Sequence, residues 1–322
     1  LFFGQARLSC RLYVCVCDRV SFGARMNIRT SAFLGVAALA LGFGGPACVG
    51  DDDMARSWRE LTYMNFKGAG SGFSQILKRA KPSSPEYIRA SLGHALSLQH
   101  RQPDVKSDKL RAAAIYDELI PMTEGDPVQA LVLLLRARLA DQIDYFGDEP
   151  ERETARGLYT RLIRTWADSP LVHQAAIYRS EVDIFQPDKD TARRGVEEME
   201  AWIARYPDNP LVSLQWQLIG WAYVHPLDDA GKSVEAFLAA EAAGLPAHTK
   251  LDSYYWRLAN LAEKAGNRKV AVEYYRRLIT DVRRPAYGYD AQYRLKQLGV
   301  EPPPLPDPFA EDGSETSARK AE

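Results

Sequence analysis

Small and bulky apolar residues recur through the middle of this chain at one repeating offset. Ala112-x3-Tyr116-x2-Leu119, Ala155-x3-Tyr159-x2-Leu162 and Gly195-x3-Met199-x2-Trp202 share it, and Ser233, Phe237, Ala240 and then Ala271, Tyr275, Leu278 extend it. Steps of four and then three keep such residues on one face of an α-helix, with a small residue where a neighbouring helix must come close. Five helices of one design are therefore predicted. A second mark accompanies them: Ser84-Pro85, Asp126-Pro127, Ser169-Pro170 and Asn209-Pro210, with spacings of 42, 43 and 40 residues. A side-chain acceptor followed by proline is the signature of an N-cap and first helical residue, since the oxygen caps an orphan amide and proline has no N–H to lose. Pro246 and Pro285 continue the series less regularly. No stretch alternates as a strand, and "ALVLLL" (130–135) runs into Arg136, so it reads as a core helix segment. One amphipathic hairpin cannot bury its face alone, so successive helix pairs must stack, and a terminal helix must close the end. "YDAQYRLKQLG" (289–299) reads as that cap, with Gly299 stopping it. The predicted fold class is all-α.

Particular residues then resemble a known family. Trp216-x2-Ile219-Gly220-x2-Tyr223 in "WQLIGWAY" is similar to the W-x2-L-G-x2-Y signature of tetratricopeptide repeats. "GNRKVAVEYYRRLI" (266–279) resembles the second helix of such a repeat, with Leu258-Ala259 at the matching distance before Ala271, and "ARYPDNP" (204–210) resembles its closing proline. The resemblance covers residues 85–299, and Trp58-x2-Leu61 with "FSQILKRA" extends it as a degenerate first pair over 54–84. It departs from the family in three places: "HRQPDVKSD" lengthens a turn, Glu181 stands where a small residue is wanted, and the period near 40 exceeds the usual 34 or so. HEAT-like helix pairs are the competing solenoid. The resemblance implies a right-handed α-α superhelix of about five to six helix pairs plus a C-terminal capping helix. It also implies a concave groove lined by the first helix of each pair. Carried across position by position, the groove receives Trp221 and Gln217 from one repeat, Trp256, Asn260 and Glu263 from the next, and Tyr178 and Arg138 from the two before. Aromatic platforms beside amides and charges suit an extended peptide; packing between thin helices is the other role open to these rings. The implied function is a non-enzymatic protein–protein interaction scaffold, resembling bacterial envelope lipoproteins of outer-membrane assembly, the Tol–Pal system or pilus secretin assembly.

The ends of the chain bear on location. From Met26, "MNIRTSAFLGVAALALGFGGPAC" has the charged start, apolar stretch and small residues of a secretory signal peptide, and its apolar stretch is too short to span a membrane. Residues 1–25 are then upstream sequence and 26–47 the signal. A chain starting at Met26 holds one cysteine, Cys48, at the place a bacterial lipoprotein carries its acylated cysteine, with residues 48–53 as a polar tether. Gly45 stands three residues before it, where lipoproteins prefer an aliphatic residue, so simple cleavage releasing a soluble periplasmic protein is the alternative. Val49 directly after the cysteine points to the outer membrane. Residues 54–299 form the expected solenoid, and the Pro-rich segment 300–322 is expected to be extended or disordered and to bury no apolar surface.

Composition excludes more than it assigns. A formal charge of −1 over 322 residues gives no footprint for nucleic acid. His94, His100, His173, His225 and His248 are scattered, form no His-x3-His pair, and read as surface or helix-end residues, so no metal is expected. "GAGSG" (68–72) lacks the lysine of a phosphate loop and reads as a flexible turn. Glu181, with Asp183 nearby, reads as a helix-end charge rather than a buried acid. Arg276, Arg277, Arg283 and Arg284 read as a solvated face, with an acidic partner or headgroups as the alternative. No catalytic constellation and no cofactor are expected, and a peptidoglycan hydrolase built on this scaffold would need a further domain.

Overall fold

The computed structural model describes residues 51–142, 149–247 and 249–306, excluding the side chains of 51 and 52. Cys48, the proposed signal, His248 and residues 307–322 lie outside the described residues. Those residues hold thirteen helices and no strand: α1 (Asp51–Thr62), α2 (Phe66–Arg79), α3 (Pro85–His100), α4 (Lys106–Met122), α5 (Val128–Gln142), α6 (Arg152–Thr165), α7 (Leu171–Ile184), α8 (Lys189–Arg205), α9 (Val212–Val224), α10 (Ala230–Ala242), α11 (Leu251–Lys264), α12 (Arg268–Thr280) and α13 (Gly288–Gln297). The all-α class is as read from the sequence. The stretch expected to form one array divides into two compact units, with the boundary between Leu211 and Val212. Within each unit every helix packs on the next in order, and in the first unit α1 also meets α3 and α5 meets α7. That ordered packing is consistent with a helical solenoid.

The repeated offset is the core. Ala112, Tyr116 and Leu119 on α4, Ala155, Tyr159 and Leu162 on α6, and Ala271, Tyr275 and Leu278 on α12 are each at most 1% exposed. On α8 and α10 the same positions are buried, Gly195, Met199 and Trp202 in one and Ser233, Phe237 and Ala240 in the other. The offset recurs once more, unread in the sequence, as Ala69, Phe73 and Ile76 on α2, again fully buried. The "ALVLLL" segment lies in α5, where Gln129 through Ala140 are all buried. Gln129 ties three helices together: its Nε2 donates to Ile120 O at 2.8 Å and its Oε1 accepts from Trp166 Nε1 at 3.1 Å. Those bonds satisfy a buried amide that would otherwise destabilise the core.

The proline junctions work by a variant of the expected cap. Ser84 is a true N-cap, its Oγ accepting from Tyr87 N at 3.2 Å with Pro85 at the helix start. At the other three the side chain accepts from the amide only two residues on: Val128 N to Asp126 at 2.8 Å, Leu171 N to Ser169 at 3.3 Å, Leu211 N to Asn209 at 3.0 Å. Each is a side-chain turn enclosing the proline, and the helix begins just beyond it. At the far end Gly299 takes φ +69, with its N–H on Lys296 O and that of Val300 on Leu295 O, both 2.9 Å. This Schellman closure stops α13 where the sequence placed the stop.

Three expectations change. "GAGSG" is not a turn but part of the first two turns of α2, which Asn65 caps by accepting from Gly68 N at 3.1 Å. A side chain at Gly72 would collide with Ser57 Oγ on α1, so the glycine serves close helix approach. The expected tether is helical from Asp51, and Asp53 accepts from Arg79 Nη1 of α2 at 2.9 Å. Residues 301–306 carry no regular structure, yet Leu305 packs against the second core and Pro303 O accepts from Gln292 Nε2 at 2.8 Å.

Close approach gives a test. A Cβ at Gly93 would fall within 3.0 Å of three ring atoms of fully buried Phe73, whereas at Gly157 it meets nothing within 4 Å. Gly93→Ala is expected to lower the free energy of unfolding by about 1–3 kcal/mol through overpacking. Gly157→Ala is expected to raise it by up to about 1 kcal/mol through helix propensity. Urea denaturation of the two variants checks the opposite signs.

Candidate functional site

The residues assigned to the groove fall into two settings. The first is a half-buried surface on α9 and α11 in the second unit. Gln217 and Trp221 stand one turn apart on α9, and Trp256, Asn260 and Glu263 share a face of α11. Ser213 Oγ donates to Ala240 O at 2.8 Å, Ser233 Oγ to Gly220 O at 2.9 Å and Tyr254 OH to Phe237 O at 2.5 Å, which fixes α9, α10 and α11 to one another. Trp221 meets Phe237 edge-on and carries the Arg257 guanidinium over its ring, 4.3 Å from the centroid. Gln217 is half-buried, and its Nε2 has no hydrogen-bond acceptor among the described residues.

The α11 residues are engaged within the fold. Trp256 stacks on Tyr287 with ring centroids 5.2 Å apart and planes 6° from parallel. Asn260 Nδ2 donates to Trp256 O at 2.6 Å, and the Tyr275 hydroxyl stands 3.2 Å from Asn260 Oδ1 and 2.9 Å from Glu263 Oε2. Arg294 of α13 closes the set by donating from Nη2 to Glu263 Oε1 at 2.7 Å and from Nε to Oε2 at 3.2 Å. Burial pushes the Tyr275 hydroxyl up to about 12, so it stays protonated and donates. A polar network of this kind sets the position of α13 against α11, and it leaves Trp256 one ring face against Tyr287. Arg257, Tyr287 and Arg294 were not read from the sequence, because their partners lie on other helices.

Tyr178 and Arg138 lie elsewhere and are not on an open surface: each is 3% exposed, inside the first unit. The Arg138 guanidinium sits over the Tyr178 ring at 3.9 Å, with Nη1 3.1 Å from Asp141 and 3.5 Å from Glu181. Gln174 Nε2 donates to the Tyr178 hydroxyl at 2.8 Å, and Tyr159 packs beside it with ring centroids 6.0 Å apart. Glu181 is thus a largely buried acid with a partner, its side chain 13% exposed, and not a helix-end charge. It occupies the position where the repeat wants a small residue, so α5 must supply a cation to face it. Burial tends to neutralise Arg138, but Tyr159, Tyr178, Glu181 and Asp141 outweigh that and hold it charged. Two acids compete for that one cation. Burial raises Asp141, and it lifts Glu181 to about 7 against the pull of Arg138.

The remaining candidates divide in the same way. His94 is buried in mid-α3, contrary to a surface placement, and burial with the nearby Arg111 lowers its pKa. His173 accepts from Trp202 Nε1 at 3.3 Å, and His225 is exposed. No group of three or more His, Cys, Asp and Glu side chains is placed to hold a metal among the described residues. Nor is any described helix long and apolar enough to cross a membrane. Asp183 pairs with Arg156, which also donates to Glu198 at 2.5 Å.

No family model matches the chain, and no curated protein does. Its function therefore has to be argued from the geometry above.

The acid pair gives a pH test. Because the folded pKa of Glu181 lies near 7 and its ordinary value near 4.5, this group destabilises the fold as pH rises through that window. Glu181→Gln removes the penalty and leaves Asp141 on Arg138. Its stability relative to the parent chain is expected to improve by about 1–3 kcal/mol between pH 5 and pH 8. Denaturation at the two pH values checks this, and a pH-independent difference would contradict it.

Proposed function

We propose that this chain is a non-enzymatic binding scaffold of the tetratricopeptide type, holding extended protein segments of the bacterial cell envelope on the exposed faces of its first helices. In this reading α1 to α12 are six helix pairs of a right-handed superhelix and α13 is the cap. The observation that carries it is the division of labour between alternate helices. The second helices α2, α4, α6, α8, α10 and α12 spend the repeated offset entirely on the core, while α9 and α11 keep half-buried aromatic and amide groups at their outer faces. Trp221 with Arg257 over it is an amphipathic platform, and Gln217 stands one turn before it on the same helix. Trp256, Asn260 and Glu263 stand on the next first helix, α11. An acylated Cys48 would confine the array at the outer membrane and raise its effective concentration near partners. Gly45 favours a second reading, in which the signal is cleaved and the same scaffold acts as a soluble, chaperone-like periplasmic protein.

The test uses the chain expressed from Met26 in bacterial cells with a photo-crosslinking residue at position 217 or 257. Both positions are expected to give adducts with polypeptide, and Trp221→Ala is expected to remove most of them while helical circular dichroism persists. Adducts no stronger than those from exposed position 81 would contradict the proposal.

A further inference from the structure

A second surface lies on α12. That helix buries Ala271, Tyr274, Tyr275, Leu278 and Ile279. Its outward face bounds a groove of about 570 Å³ whose lining includes Lys269, Val272, Arg276 and Val300. The Schellman turn at Gly299 brings Val300 there, and Arg268 clamps the turn by donating to Leu298 O. Val272 and Val300 are half-buried and give the groove an apolar floor, while Arg268, Lys269 and Arg276 are exposed along it. Arg277 also borders the groove, but its charge is already used: it donates to Glu241 Oε1 at 2.6 Å and to the Tyr255 hydroxyl at 2.8 Å. Among the described residues Glu273 is the one acid in the lining. Three cations thus face one carboxylate on a chain whose overall charge is −1, so the positive field is local to this groove.

We propose that this groove docks an acidic protein segment in which carboxylates flank one apolar side chain. The apolar side chain would lie on Val272 and Val300, and the carboxylates would reach Lys269 and Arg276. Charge complementarity selects an acidic partner, and the half-buried Val272 and Val300 give one apolar side chain of that partner a place to rest. Among the described residues the lining holds no aromatic ring on which a nucleic acid base could stack. This surface is separate from the α9–α11 face, so it stands or falls independently of the binding role given above.

The experiment measures fluorescence anisotropy of a labelled peptide, Gly-Asp-Glu-Asp-Phe-Glu-Asp-Glu-Gly, against the full chain at low and at physiological salt. Saturable binding is expected. Lys269→Glu with Arg276→Glu should weaken it about tenfold or more, as expected for loss of facing charge. Replacing the peptide's Phe with Ser should also weaken it. A control reversing exposed Lys67 and Lys81 should leave it unchanged. An equal loss in the control, or no loss with the Ser peptide, would reduce the effect to bulk charge and overturn the proposal. So would binding to phosphatidylglycerol vesicles, sensitive to Lys269 and Arg276, without binding to the peptide.

Discussion

Every second helix of this protein has to bury one large side chain against helices on both sides of it, and the rest of the architecture follows from that requirement. Tyr116, Tyr159, Phe237 and Tyr275 each bring an aromatic ring into the core with at most 1% exposure. A ring in that position needs a small residue one turn before it, so that the neighbouring helix can approach, and a second apolar residue three places later to close the contact. Ala112, Ala155, Ser233 and Ala271 are those small residues. The first helices then have no choice of register. They must offer small or flat surfaces to the rings, as Gly93 does to Phe73.

Polar groups enter this core at a few points, and several of them are matched. Tyr116 OH donates to Gln99 at 2.8 Å, and Tyr275 OH is shared between Asn260 and Glu263. Arg136 in the buried α5 donates to Asp117 at 2.9 Å. The Arg138 cluster is the costly exception, because two carboxylates there face one guanidinium in a medium that disfavours bare charge. A proton on Glu181 balances the set, which is why its affinity for that proton sits near neutrality.

Much of this was legible in the sequence where a rule acts within one helix. The four-then-three offset located the core of five second helices, and the acceptor–proline pairs located the starts of α3, α5, α7 and α9 to within two residues. Failures came where the deciding contact crosses between helices. "GAGSG" has the composition of a turn, and only the closeness of Ser57 explains why it is helical. Arg138 and Tyr178 sit at the offsets of groove residues, but they are buried where Arg138 of α5 meets Tyr178 and Glu181 of α7. Leu305 follows a run of prolines that suggests no packing, and it finds a place because Gly288 leaves room beside Pro285. For the α9–α11 surface the sequence supplied Trp221, Gln217, Trp256, Asn260 and Glu263, while Arg257 became visible only once α11 was set against α9, and Tyr287 and Arg294 once the chain after α12 was set against α11.

If stability is carried by contacts between sequence neighbours, damage to one helix must stay local. Hydrogen exchange followed by mass spectrometry on Leu162→Ala measures this most directly, since Leu162 is fully buried on α6. The account predicts faster exchange in α5, α6 and α7, a smaller effect on the rest of the first unit, and unchanged protection in α11 and α12. Equal loss of protection from α1 to α13 would contradict it, because the chain would then be one cooperative core rather than a succession of neighbouring helix pairs.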